Sequence, residues 1–181
     1  MRTFEFIEQN IELVDENRFE ELYDLAAEQC TELTDVGCIT NILTDAGIDP
    51  LATLTTIPAG YLYACEDVTS FTIPSHIKAI DVAAFSDTSI EELIIPEGVT
   101  KIGEGAFNWN PKLTKIVLPS TLKELGADCF EGCENLHKIH FNGTVRQWRS
   151  IHKFNNRIVN SYKNNTLKSI VTSEGEVGIN V

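Results

Sequence analysis

Phe107-Asn-Trp-Asn-Pro-Lys-Leu113-Thr-Lys-Ile116-Val-Leu118-Pro119-Ser-Thr-Leu122-Lys-Glu-Leu125 decides the fold, because its spacing recurs along the chain. Counted from Phe107, apolar residues stand at offsets 0, 6, 9, 11, 15 and 18, with proline at 12. Toward the N-terminus, Leu62, Val68, Phe71, Ile73, Pro74, Ile77 and Ile80 meet every offset. Phe85, Ile90, Leu93, Ile95, Pro96, Val99 and Ile102 meet them after deletion of one residue before Ile90. Toward the C-terminus, Phe130, Leu136, Ile139 and Phe141 begin a fourth copy, which departs at Asn142-Gly143, where proline is due.

A period of 22–23 residues in consecutive copies points to a solenoid. In each copy an apolar-x-apolar triplet (Phe71-Thr-Ile73, Leu93-Ile-Ile95, Ile116-Val-Leu118, Ile139-His-Phe141) sends its first and third side chains to one face, as a half-buried strand does. Proline then ends the strand, because it has no N–H to give to a ladder. A single coil cannot bury its apolar edge, so stacking has to supply the core. With strands roughly 4.8 Å apart, four coils extend only about 20 Å, and so short a stack needs a cover at both ends.

The run Ile102-Gly-Glu-Gly-Ala106-Phe107, followed by Leu113, Ile116, Leu118, Pro119, Leu122 and Leu125-Gly126, resembles the BspA-type leucine-rich repeat of bacterial, phage and protist proteins. That family commonly has cysteine three residues after the Phe; Cys65 and Cys133 agree, Thr88 and Asn110 do not. Phe141-Asn-Gly-Thr-Val-Arg-Gln-Trp148-Arg-Ser-Ile151 resembles the segment that closes such arrays, and Ser169-Ile-Val-Thr-Ser-Glu-Gly175-Glu-Val177 its final hairpin, without the usual cysteine. The resemblance covers residues 57–181. It implies an α+β repeat protein: a short leucine-rich-repeat β-solenoid of about four coils, with an N-terminal helical cap and a C-terminal cap ending in a hairpin. It also implies a scaffold used for adhesion and recognition, here a phage or bacterial effector or inhibitor acting on a host or defence protein, while leaving the partner open.

Charge divides the chain the same way. Of a net −13, residues 1–56 hold 13 acids and two bases, giving −11, and the remainder holds 14 acids and 12 bases, giving −2. From Glu134 to Glu174 no acid intervenes, while Lys138, Arg146, Arg149, Lys153, Arg157, Lys163 and Lys168 do. Residues 1–56 are expected as an acidic helical cap, 57–141 as repeats and 142–181 as a basic C-terminal cap. Within the first, residues 15–30 repeat apolar positions at three and four, and Thr34 to Gly47 reads as a second helix, followed by a capped turn at Asp49-Pro50. Residues 152–168 read as a polar loop, with Trp148 and Ile151 packed on the last coil.

No apolar run is long enough for a bilayer span, and the first residues lack the pattern of a secretory signal, so a cytoplasmic protein with no membrane partner is expected. Five cysteines without an export signal read as reduced thiols.

Cys129, Cys133, His137 and His140 carry the residue types of a zinc site. The repeat register scatters them: Cys129 shares the small core position of Ala84 and Ala106, while His140 lies between two inward residues and points outward. No nucleophile–base set, phosphate-binding glycine loop or metalloprotease motif is present, so no catalysis, cofactor or metal is expected, and an enzyme or metal site formed within the loops stands as the alternative reading. The basic tail suggests nucleic acid, but a pI near 4.6 argues against it. The better candidate is the sheet face. Outward positions align as Thr72, Ile94, Val117 and His140, flanked by Ser70, Glu92, Lys115 and Lys138. Adjacent exposed aliphatics rimmed by charge suit a protein partner. The acidic cap is the second candidate surface. An acidic front and a basic tail also permit head-to-tail self-association.

Overall fold

The computed structural model describes residues 12–13, 49–153 and 167–178. The two expected N-terminal helices, at 15–30 and 34–47, lie outside the described residues, as does most of the loop at 152–168. In chain order the elements are β1 (Thr56–Ile57), β2 (Ala79–Ile80), β3 (Glu92–Ile94), β4 (Lys101–Ile102), β5 (Lys115–Leu118), β6 (Glu124–Leu125), β7 (Lys138–Phe141), α1 (Val145–Ser150), β8 (His152–Lys153), β9 (Ser169–Thr172) and β10 (Gly175–Gly178). One sheet runs β1-β2-β4-β6-β8 with every pair parallel. The other runs β3-β5-β7-β9 in parallel and ends on β10, antiparallel to β9.

A third row of cross-coil bonds lies at the turn around the offset-0 residue. The N–H groups two before it, at it and two after it donate to the next coil: Gly60, Leu62 and Ala64 to the carbonyls of Val82, Ala84 and Ser86, at 2.9, 2.8 and 3.0 Å. Ala83, Phe85 and Asp87 repeat this to Glu104, Ala106 and Asn108, and Gly105, Phe107 and Trp109 to Ala127, Cys129 and Glu131. Alternate residues face the next coil here because two of them take left-handed φ. The pairs are Gly60 and Ala64, Ala83 and Asp87, Gly105 and Trp109, Asp128 and Gly132. Glycine occupies three of these eight places; the other five carry a side chain in a conformation that disfavours it.

Inside the three rows sits one core. Phe85, Phe107 and Phe130 stack rung on rung, with ring centroids 5.7 and 5.8 Å apart and interplanar angles of 14° and 8°. Ile80, Ile102 and Leu125 line the interior from one sheet, and Leu93, Ile116 and Ile139 from the other. Leu51, Leu54 and Ile57 join this core at its first end, where Asp49 caps a turn by accepting from the Leu51 N–H at 2.9 Å. Leu54 and Ile57 stand at offsets 15 and 18 of a half coil ahead of Leu62. At the far end Thr144 and Gln147 form a capping box for α1, which buries Trp148 against Phe141, 5.4 Å between centroids.

Two expectations change. Phe71-Thr72-Ile73 forms no strand, and its sheet begins at β3. Neighbouring cross-coil bonds run from Ser89 to Val68 at 3.1 Å and from Glu91 to Thr69 at 3.3 Å. Among the described residues the triplet is the outermost rung, with a partner coil on one side, and that coil is the one shortened before Ile90. Second, residues 167–172 are a further rung rather than loop and hairpin alone: Leu167, Ile170 and Thr172 are buried at offsets 6, 9 and 11, and Ile170 pairs with Ile139.

Proline fixes the corner after the sheet, where Pro74, Pro96 and Pro119 carbonyls accept from Ile77, Val99 and Leu122. Asn142, in place of the next proline, donates its N–H to Leu118 at 2.9 Å, a ladder bond that proline cannot make. Glu97 ties three coils at this corner, accepting from the Ser120 N–H and hydroxyl, both 3.0 Å, and from the Asn142 amide at 3.2 Å. Partial burial raises its pKa, but these hydrogen bonds outweigh it and hold the carboxyl below its ordinary 4.5.

Close approach is the other constraint. A Cβ on Gly126 would lie 2.4 Å from the backbone of Gly103, and one on Gly103 would lie 2.6 Å from that of Asp81. Gly126→Ala is therefore expected to force the coils apart at a cost of about 3 kcal/mol. Asp128→Gly should stabilise by about 1 kcal/mol, since it removes a side chain at φ +54° whose Oδ1 is buried without a hydrogen-bond partner. Thermal unfolding of both variants checks the two signs. Glu97 should contribute stability above its ordinary pKa and lose it as pH falls through the lowered one. Below about pH 4.5 the wild type is expected to lose stability more steeply than Glu97→Gln, as read by unfolding midpoints across that range.

Candidate protein-binding face

The outer face of the β3-β5-β7-β9 sheet gathers most of the residues singled out from the sequence. Ile94 pairs with Val117, Val117 with His140, and His140 with Val171, so four side chains form one row across the strands. Ile94 is 62% exposed; Val117, His140 and Val171 are half-buried by their neighbours. Alternation forces this arrangement, because Leu93, Ile116, Ile139 and Ile170 point into the core from the adjacent positions.

The flanking row is ordered by charge. Glu92 meets Lys115 at 3.4 Å and Lys138 meets Glu176 of β10 at 2.9 Å. Ser169 also donates to Glu176. The Ser169 hydroxyl and the Lys138 ammonium hold the Glu176 carboxyl below the usual carboxylate range. Such exposed pairs add little stability and mainly set the pattern of charge. Ser70 and Thr72 are exposed, but on the segment outside the sheet, so the structure does not align them with the other six.

Val171 and Glu176 belong to this face and were not read from the sequence. The signal was present, since Leu167-x-x-Ile170-x-Thr172 repeats the spacing of Leu113-x-x-Ile116-x-Leu118. Among the described residues, two further large apolar side chains are exposed elsewhere: Val82, 48% exposed, and Trp109, 56% exposed.

The cysteine and histidine constellation does not converge. Cys129 donates to the carbonyls of Gly103 and Gly126, both at 3.1 Å, and Cys133 to that of Phe107 at 3.1 Å. His137 is exposed and His140 lies on the sheet face. Among the described residues, no group of three His, Cys, Asp or Glu could hold a metal ion. The slot three residues after the offset-0 position is polar throughout: Thr88 donates to Asn110, whose amide donates to the carbonyls of Phe85 and Phe107 at 2.7 and 2.8 Å. Asn110 thus takes the contact that Cys133 makes one coil later, and Thr88 is tied to Asn110.

A shallow groove of about 240 Å³ lies over Gly103, Gly126 and Ala127, edged by Asp81, Lys101 and Glu104. It brings no nucleophile to a base. Among the described residues, no helix is long and apolar enough to cross a membrane.

Stacked coils with two parallel ladders and a continuous interior define a repeat solenoid. The chain belongs to the BspA type leucine-rich repeat family, whose model matches residues 51–174 in six copies and so takes in β1, β8 and β9 as well as the central coils. No curated protein and no solved structure matches the chain. Leucine-rich-repeat solenoids commonly serve protein–protein interaction and are typically non-catalytic.

Burial pushes the Cys129 and Cys133 thiols up to about 12. Both are expected to resist a disulfide-based thiol reagent in native protein at about pH 8 and to react on unfolding. The measurement requires Cys30, Cys38 and Cys65 replaced by Ser. Rapid native labelling would show that these thiols are accessible.

Proposed function

We propose that this chain is a non-catalytic protein-binding module that engages its partner through the outer face of β3, β5, β7 and β9. The single observation that carries this reading is the aligned row Ile94, Val117, His140 and Val171. Ile94, largely in water, Val117 and Val171 make it mainly apolar, with His140 between the two valines, beside charges at Glu92, Lys115, Lys138 and Glu176 that run negative, positive, positive, negative. An apolar centre with a polar rim is the anatomy of a recognition surface. Rigid placement supports it too: β5, β7 and β9 are held by ladders on both sides and β3 by one, so little order has to be gained on binding. Ser70 and Thr72 extend the candidate surface at its margin, and the acidic segment 1–56 remains a second candidate. A nucleic-acid partner gains no support from this face, whose cations Lys115 and Lys138 are each paired with a carboxylate.

Capture of partners from the native cell, repeated with Ile94→Asp and Val117→Lys, tests the reading. A central contact replaced by a charge is expected to weaken capture at least tenfold, with unfolding temperature nearly unchanged because both side chains face outward. Equal capture by wild type and both variants would remove the sheet face as the binding surface.

A further inference from the structure

Trp109 holds a left-handed backbone position that is Ala64, Asp87 and Gly132 in the other coils, and it is the bulkiest of the four. It has φ +56°, and the same position in the next coil is Gly132 at φ +73°. Left-handed backbone disfavours bulky side chains, and 56% of this residue remains in water. Neither conformation nor burial accounts for an indole there. The neighbouring coil nonetheless leaves room for it: a Cβ on Gly132 would lie 2.8 Å from Cε3 and 2.9 Å from Cδ2 of the ring. The indole therefore lies against a bare stretch of backbone, with its remaining surface open.

The surroundings are acidic. Asp87 holds the equivalent position one coil earlier, about one strand spacing away. Glu131, whose carbonyl accepts from the Trp109 N–H at 2.6 Å, flanks Gly132 one coil later, and exposed Glu134 follows. Lys112, three residues along, is the nearest base in sequence.

We propose that Trp109 is a stacking platform for an arginine side chain on a basic segment of a partner protein. A cation over an indole is attracted by the ring's quadrupole, and the acidic residues of the two adjoining coils add charge complementarity. The planar guanidinium suits this better than an ammonium, since it can stack and hydrogen-bond a carboxylate at once. Phosphate-bearing ligands are repelled by the same rim. This surface is separate from the sheet face and stands whether or not that face binds.

A capped hexa-arginine peptide is the probe, titrated by calorimetry into wild type, Trp109→Gly and Trp109→Phe. Trp109→Gly is expected to weaken binding about tenfold while leaving the unfolding temperature equal or higher, because glycine relieves the backbone. Trp109→Phe should retain most of the affinity. Equal affinity in Trp109→Gly would overturn the proposal, reducing the interaction to attraction by net charge. A lowered unfolding temperature in that variant would also overturn it, since the indole would then be a structural filler. So would wild-type oligomers in sedimentation that Trp109→Gly dissolves, which would make a second copy the occupant.

Discussion

The distance between consecutive coils is the constraint from which the rest follows. Gly103 and Gly126 let one backbone lie directly on the next, with no space for even a Cβ between them. At that separation the two sheets and the turn row can all close their cross-coil hydrogen bonds together. The offset-0 rings then meet almost face to face, 5.7–5.8 Å between centroids, with enough lateral offset to suit aromatic packing. A wider step would break backbone bonds along the whole perimeter. The left-handed residues of the turn row belong to the same constraint, since they aim every second N–H along the stack. Ala64, Ala83, Asp87, Trp109 and Asp128 tolerate that conformation because the surrounding ladder over-determines it.

Much of this geometry is legible in the sequence, because a repeat states its core positions several times. Phe85, Phe107 and Phe130 share offset 0 of successive copies and stack rung on rung. The outward row Ile94, Val117 and His140 followed from alternation alone, and the register places them side by side. Trp148 and Ile151 pack on the last coil as their apolar character suggested. What escaped lies where copies are incomplete. Leu54 and Ile57 carry only the last two offsets of a coil. Leu167, Ile170 and Thr172 are separated from Phe141 by an insertion, and threonine at the third core position hides the pattern. Phe71-Thr72-Ile73 errs the other way: its pattern is complete, yet it joins no ladder beside a coil that is one residue shorter before Ile90.

Trp109 was illegible for a different reason. Periodicity identifies core positions and assigns everything else to the surface, and it does not register a left-handed φ. The polar slot shows the same limit. Asn110 looks like a departure from a cysteine consensus, yet its amide reaches the Phe85 carbonyl as Cys133 reaches that of Phe107, while Thr88 donates to Asn110 itself. Residue identity and acceptor vary; a donor with a partner is what persists.

The antiparallel pairing of β10 on β9 makes the two ends of the array unequal. Every other interface in that sheet is parallel and in one repeating register, so an additional unit spliced between the central coils would meet surfaces of the kind it presents. Growth past β10 would instead meet a reversed strand with the wrong bonding pattern. Lengthening by internal duplication is thus open to this architecture in the middle and blocked at that terminus, and the array's size on that side is fixed by a single change of strand direction.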